Sequence, residues 1–146
     1  MGSILAIDYG LKRIGLAISD ESRTFSFPCG VIENKNFSFV LGQIQKTIDE
    51  KNVELIVIGV PYYKKAEIRD EKTKKKYMED IVMEFVNKLT DKLNISIETT
   101  DERFSSFMAN ENLKEAGISS KKSRKIIDAE AARLILQDYL ERYKNN

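Results

Sequence analysis

Residues 4–20 read ILAIDYGLKRIGLAISD, and the rest of the predicted fold is built on this segment. Ile4 to Ile7 form an unbroken apolar run, which is typical of a strand buried on both faces. Asp8 follows directly, and Gly10 opens a turn that leads into a second apolar run, Ile14 to Ile18. The stretch therefore predicts a two-stranded hairpin that carries a carboxylate at the end of its first strand.

Asp8 has two interpretations. A buried carboxylate is costly unless it is paired or binds a metal ion, and Lys12 and Arg13 at the hairpin tip would suit a metal-bound phosphate. Alternatively, this is an ordinary core hairpin in which Asp8 caps the turn by accepting hydrogen bonds from nearby backbone. The hairpin alone favours neither interpretation.

Composition narrows the chemistry. The 146 residues predict a single domain, 1–146, and a net charge of +1 means that any nucleic-acid-binding surface must be local. The chain has no histidine, which excludes histidine acid–base chemistry, and the lone Cys29 excludes an internal disulfide. Carboxylates are then the obvious ligands for a hard metal such as Mg²⁺ or Mn²⁺. With neither a membrane span nor a signal peptide in the sequence, we expect a cytoplasmic protein with no membrane partner.

The rest of the chain predicts an α/β fold. Pro28 suggests an edge position or a bulge in the third strand, and Asn36 is a plausible cap for the first helix. The predicted elements after the hairpin are a strand at Phe25–Ile32, a helix from 37, a strand at Leu55–Val60, a loop at Tyr62–Asp70, a helix at about 71–93, a strand at Ile95–Thr100, a helix from Ser105 or Ser106 to Ala116, a polar linker at Ser119–Lys125 and a helix capped by Ser123 that runs to about Tyr143. This order predicts a five-stranded mixed sheet flanked by helices, with three antiparallel strands, two parallel ones and Ile4–Asp8 in the centre.

Further carboxylates fall where this fold would gather them. Asp128 interrupts the apolar stripe of the last helix, which consists of Ile127, Ala131, Leu134, Ile135 and Tyr139. A buried aspartate needs a lysine, an arginine, a backbone cap or a metal as its partner. Asp101 and Glu102 close a strand, as Asp8 does, and strand ends are where open α/β folds place their sites. Separated carboxylates of this kind can hold two divalent cations for attack on a phosphodiester, which favours a metal-dependent nuclease.

The segments IDYGLKRIGLAISD, VIGVP, DERFSS and IDAEAARLILQDYL, in this order, resemble the YqgF (RuvX) family of Holliday-junction-resolvase-like proteins. The resemblance covers nearly the whole chain. It implies an RNase H-like fold and nuclease processing of the 5′ end of the small-subunit rRNA precursor. It also implies that Asp8, Glu102 and Asp128 form the catalytic, metal-binding site, with Asp101 beside them and Arg103 on a phosphate. Whether Asp101 or Glu102 is the main ligand stays open.

Two segments depart from the family. Tyr62-Tyr63-Lys64-Lys65 stands where the family has a short turn containing Asp-Gly, which leaves the role of this loop open. The serines of DERFSS replace threonines that the family often has, and this milder change keeps both hydroxyls.

Other functions compete with rRNA processing. One is a Holliday junction resolvase, which acts on branched DNA and needs two sites and therefore a dimer. Another is a non-catalytic RNA-binding factor for ribosome assembly. The basic residues that such a factor, or the nuclease, would use are Lys12, Arg13, Arg103, Lys121, Lys122, Arg124 and Lys125. An actin-like ATPase shares the core fold but needs two lobes, which 146 residues cannot supply. We expect a monomer or a weak homodimer; the choice between RNA and DNA, and between exo- and endonuclease action, stays open.

Overall fold

The computed structural model describes residues 2–61, 78–102 and 120–144, with the side chains of 125–142 in the last helix. Its strands are β1 (Ser3–Asp8), β2 (Arg13–Ser19), β3 (Ser26–Glu33), β4 (Val53–Val60) and β5 (Ser96–Asp101). Its helices are α1 (Phe37–Lys51), α2 (Met78–Lys92) and α3 (Ser120–Lys144). The predicted loop at Tyr62–Asp70, the predicted beginning of the second helix at 71–77 and the predicted helix up to Ala116 lie outside the described residues.

The five strands form one mixed sheet in the order β3-β2-β1-β4-β5. β1 and β2 are antiparallel, as are β2 and β3, whereas β4 runs parallel to both β1 and β5. The predicted five-stranded mixed sheet with Ile4–Asp8 at its centre is therefore confirmed. Pro28 lies in the edge strand β3, at a register shift between Leu16 and Ala17 of β2, so it occupies both an edge and an irregularity.

Side chains of β1 alternate between two cores. Leu5 and Ile7 belong to the larger apolar cluster, which α1 and α2 cover. Ile4 and Ala6 belong to a smaller cluster on the opposite face, which α3 covers. Since successive side chains of a strand point to opposite faces, Asp8 lies on the same face as Ile4 and Ala6, the α3 face.

The first helix begins as its sequence predicts. The side chain of Asn36 accepts a hydrogen bond of 2.9 Å from the backbone N–H of Phe39, which satisfies one of the free donors of the first turn. Val40 and Ile44 are buried against the sheet, as the predicted apolar stripe requires. In α2, the described part of the second predicted helix, the buried residues are Val82, Phe85, Val86 and Leu89.

The predicted linker at Ser119–Lys125 is wrong, because α3 already begins at Ser120. Lysine and arginine are good helix formers, and this segment contains no glycine or proline that would interrupt a helix. Ser123 is therefore an interior residue of α3 and not its cap.

The buried stripe of α3 is also displaced from the predicted one. The buried residues among 125–142 are Ala129, Ala131, Ala132, Ile135, Leu136 and Leu140, whereas Ile127, Leu134 and Tyr139 are half-buried. Small residues face each other here, Ala132 on the helix and Ala6 and Ala17 on the sheet, which lets the two backbones approach closely. None of the described helices is long and apolar enough to cross a membrane.

Candidate active site at the end of the central strands

Asp8 ends β1 on the α3 face of the sheet, and its position in the ladder determines its neighbours. Gly15 of β2 lies directly opposite Asp8 in the antiparallel pairing. A Cβ atom on Gly15 would lie 1.9 Å from the carbonyl oxygen of Asp128, because the backbone of α3 rests on β2 at this point. No side chain fits there, so glycine is required. The contact places Asp128 next to Asp8, although the two are 120 residues apart in sequence.

Glu102 reaches the same place from the other side of β1. Its backbone N–H donates a 3.0 Å hydrogen bond to the carbonyl oxygen of Val60, which holds it at the end of β4. A Cβ atom on Gly59 would lie 3.1 Å from the Cβ atom of Glu102 and 3.2 Å from its Oε2. Gly59 therefore leaves the space that the Glu102 side chain uses to lie over the sheet.

Asp8 and Glu102 are hydrogen-bonded to each other, and both titrate abnormally. Burial, followed by the charge of Asp8 and the hydrogen bond to it, raises the pKa of Glu102 to about 9. Burial also raises the pKa of Asp8 to about 6; the hydrogen bond from Glu102 lowers it and the charge of Asp128 raises it further. At neutral pH Glu102 is therefore the protonated partner, which donates its hydrogen bond to the Asp8 carboxylate.

Asp128 has a different partner. The Nε atom of Arg13 donates a 2.6 Å hydrogen bond to its Oδ2 atom, and the side chains of Arg13 and Asp128 are 29% and 23% exposed. Arginine was one of the partners that the sequence left open for this aspartate. Arg13 is thus bound to an acidic residue, whereas the sequence predicts that it contacts nucleic acid.

The structure brings Asp8, Glu102 and Asp128 together where the central strands end. Asp101 lies at the end of β5, the strand next to β4. Within the described residues, no group of three or more acidic or thiol side chains is spaced to hold one metal ion. The donor chemistry nevertheless suits a divalent cation. Burial raises the pKa of Asp8 and Glu102, so a cation that offsets their charged forms would be favoured there, and oxygen donors are the ligands of Mg²⁺ and Mn²⁺.

The predicted basic residues are only partly described. Lys12 and Lys125 are exposed. Lys121, Lys122 and Arg124 lie in the first turns of α3, where only the backbone is described. Arg103 lies outside the described residues. A role for any of them in binding nucleic acid stays a prediction.

Sequence reasoning did not find the two glycines that build the site. Gly15 and Gly59 each interrupt an otherwise apolar strand, and such a glycine is a signal for close approach of another backbone or side chain. That signal does not reveal which segment approaches, since the contacts are made by residues far away in sequence.

Two solved structures share this architecture. The fowlpox virus resolvase in complex with Holliday junction DNA has a TM-score of 0.58 at 11% identity, covering 97% of this chain and 98% of that one. RuvC of T. thermophilus in complex with a Holliday junction substrate has a TM-score of 0.57 at 12% identity, covering 97% and 96%. The fold is therefore the RNase H-like fold of the resolvases, as predicted.

The sequence narrows the class further. The RuvX family, described as Holliday junction resolvase, matches residues 2–142. A Maridesulfovibrio salexigens protein is 37% identical over 95% of this chain and 98% of its own length. A Mycoplasmopsis synoviae protein is 39% identical over 96% and 98%. Both bear the name "Putative pre-16S rRNA nuclease". The chain belongs to the RuvX family, which confirms the resemblance noted from its motifs.

Proposed function

We propose that this protein is a divalent-metal-dependent nuclease that hydrolyses phosphodiester bonds at the 5′ end of the small-subunit rRNA precursor. The observation that carries the proposal is the hydrogen-bonded pair of Asp8 and Glu102, with Asp128 close enough to raise the pKa of Asp8. Holding these carboxylates together costs stability, because burial and mutual repulsion both oppose their charged forms. A cation would offset that cost. The names of the relatives support rRNA as the substrate.

Asp8, Glu102 and Asp128 would hold Mg²⁺ or Mn²⁺ through carboxylate oxygens, with Asp101 flanking them. When bound, the cation lowers the pKa of a water molecule and offsets negative charge on the scissile phosphate. Glu102 must first release the proton that it donates to Asp8, so its elevated pKa makes metal binding favour higher pH. Asp8 would be the central ligand, since it ends the central strand and interacts with both of the other carboxylates.

The substrate would bind to basic residues beside the acidic site. Lys12 is exposed near the site, at the hairpin tip, and Lys125 is exposed one turn before Asp128. Together with Lys121, Lys122, Arg124 and Arg103 they would contact phosphates. This proposal includes a single domain, a monomer or weak homodimer, and action in the cytoplasm on precursor rRNA.

A DNA substrate is the second candidate, because the family that matches residues 2–142 is described as Holliday junction resolvase. Cutting a four-way junction symmetrically needs two active sites, so this activity would require a dimer. A single-strand RNA processor has no such requirement. We therefore expect a dimer if the substrate is junction DNA, whereas a monomer suffices if the substrate is single-stranded RNA.

A non-catalytic RNA-binding factor is the alternative from another class. One argument against it is electrostatic: without a metal ion, Asp8 and Asp128 would repel each other and the phosphates of a bound RNA. The ion pair of Asp128 with Arg13 and the proton that Glu102 donates in its hydrogen bond to Asp8 relieve part of that repulsion without a metal, although the charge of Asp128 still raises the pKa of Asp8. The binding factor is therefore separated from the nuclease by activity alone.

Cleavage of two substrates tests the proposal. A precursor rRNA fragment and a four-way DNA junction are each incubated with Mg²⁺, with Mn²⁺ and with EDTA. We expect metal-dependent cutting of the RNA and none in EDTA. Cutting of the junction alone would favour the resolvase, and no cutting of either substrate with either metal would favour the binding factor.

A further inference from the structure

Arg13 forms an ion pair with a proposed metal ligand, a contact that neither core packing nor a simple role in phosphate binding would require. It begins β2, and its Nε atom lies 2.6 Å from Oδ2 of Asp128. A guanidinium is always charged, so a positive group permanently faces an oxygen of one proposed metal ligand. Any cation that binds through Asp128 must compete with Arg13 for this carboxylate.

Arg13 is partly open to solvent and has another cation beside it in the chain. Its side chain is 29% exposed, and the neighbouring Lys12 is exposed. The hairpin tip therefore offers positive charge to a phosphate that approaches the acidic site. The planar guanidinium fork matches phosphate geometry, and a bound phosphate would replace the charge partner that Arg13 loses on leaving Asp128.

We propose that Arg13 is a positioning residue that exchanges partners. In the free protein it occupies the carboxylate of Asp128, and when a nucleic-acid phosphate arrives Arg13 transfers to it and leaves Asp128 available to the cation. This inference rests on the proposed function and adds an order to it, since full metal coordination follows substrate binding.

Linkage gives the proposal a measurable consequence. If phosphate and metal each release Arg13 from Asp128, the binding of one must strengthen the binding of the other by the same factor. Removing the guanidinium should remove the competition. Metal should then bind the free protein more tightly, which is the opposite of what the loss of a merely structural residue would cause.

The first experiment is a calorimetric titration of the nucleic-acid-free protein with Mn²⁺. We expect Arg13→Gln to bind Mn²⁺ about fivefold more tightly than the wild type, as loss of a partly exposed ion pair implies. Lys12→Gln is the matched control, because it removes a neighbouring positive charge that does not touch Asp128. It should change the affinity by less than about twofold. Equal or weaker Mn²⁺ binding in Arg13→Gln, or an equal gain in Lys12→Gln, would overturn the proposal.

The second experiment needs no metal and no cleavage. Binding of a short single-stranded RNA is measured in EDTA for the wild type, Arg13→Gln, Asp128→Asn and the double variant. Asp128→Asn frees Arg13 for phosphate, so we expect it to tighten RNA binding severalfold in the wild-type background and much less in the Arg13→Gln background. An equal gain in both backgrounds would mean that Arg13 does not transfer to the RNA.

The two proposals fail separately. If the wild type cuts no substrate with Mg²⁺ or Mn²⁺, the proposed nuclease function is lost, whatever Arg13 does. The RNA-binding cycle in EDTA reports only on the exchange of Arg13 between Asp128 and phosphate. An Arg13 exchange without cleavage would leave a binding protein that responds to metal, and cleavage without the exchange would leave a nuclease in which Arg13 has another role.

Discussion

Glu102 binds its proton more tightly in the folded protein than in the unfolded chain, and stability should therefore depend on pH. Its pKa rises from an ordinary value of 4.5 to about 9, and that of Asp8 from 3.8 to about 6. Below the ordinary values both groups are protonated in either state. Above them the unfolded chain loses its protons first, so the folded state loses stability as pH rises through this window.

The first prediction follows from this loss of stability with rising pH. Without metal, the melting temperature of the wild type should fall between about pH 5 and pH 9. Glu102→Gln keeps a hydrogen-bond donor for Asp8 but cannot ionise, so its melting temperature should fall less over this range and exceed that of the wild type at pH 9. Thermal melts in EDTA at several pH values measure both curves. Parallel curves would mean that Glu102 ionises normally.

The sequence predicts which carboxylates lie near one another but not which of them are protonated. Asp8 follows an apolar run and Asp128 interrupts an apolar stripe, and both patterns are visible in the chain. The pKa of Glu102 and the pairing of Asp128 with Arg13 depend on burial and distance, which only the folded structure determines.

The site depends on the contact between β2 and α3. Gly15 of β2 touches the backbone of Asp128, and the hydroxyl of Ser26 in β3 donates a 2.9 Å hydrogen bond to the side chain of Gln137. At the other edge of the sheet, the hydroxyl of Tyr139 donates to Glu98 of β5. Contacts with β2, β3 and β5 therefore hold α3 on the sheet and fix the backbone of Asp128 against β2.

The second prediction concerns Gly15→Ala. The added methyl group meets the carbonyl oxygen of Asp128, so α3 must move or β2 must bend. We expect a loss of about 2 kcal/mol or more in the free energy of unfolding, typical of overpacking, together with weaker Mn²⁺ binding. Urea unfolding and calorimetry measure the two effects.

Gly42→Ala is the control for Gly15→Ala. Gly42 lies in α1, and a Cβ atom there would meet nothing within 4 Å. Alanine in place of glycine inside a helix should stabilise the protein by about 0.5–1 kcal/mol. Equal effects of the two substitutions would contradict the close contact at Gly15.

The types and order of the described elements were predictable because period-two and 3.6-residue apolar patterns are local. The beginning of α3 was not, since the polar composition of SSKKSRK is compatible with a linker or with an exposed helical turn. Its buried stripe was also misplaced, because close packing on Ala6 and Ala17 favours the alanines of the helix over its larger apolar residues.

The described residues place the basic run of α3 and the helix α1 on different faces of the sheet. With a net charge of +1, attraction for nucleic acid depends on where the cations lie and not on their number. The basic run at the beginning of α3 lies on the same helix as Asp128, whereas α1 covers the opposite face of the sheet. The sheet topology that creates this arrangement was predictable from the early hairpin and the later alternation of strands and helices.

The third prediction tests that arrangement. Replacing Lys121, Lys122 and Lys125 by glutamine should weaken RNA binding and reduce its salt slope by about 2 if all three contact phosphates. Turnover at saturating substrate should change little. Replacing Lys46 and Lys51 of α1 removes similar charges from the other face and should leave the slope unchanged. Binding titrations at two salt concentrations measure how RNA affinity depends on salt in each variant. An equal salt dependence in the two variants would contradict a local basic surface.

In the proposed function, the carboxylates at the end of β1 act through a divalent cation on a phosphodiester. The decisive measurement is metal-dependent cleavage of precursor rRNA by Asp8→Asn, with a variant of an exposed carboxylate on α3, Asp138→Asn, as the control. We predict that Asp8→Asn lowers the cleavage rate by orders of magnitude while RNA binding persists or tightens, because a negative charge near the phosphates is lost. Asp138→Asn should cleave like the wild type. Undiminished cleavage by Asp8→Asn would contradict the proposed function.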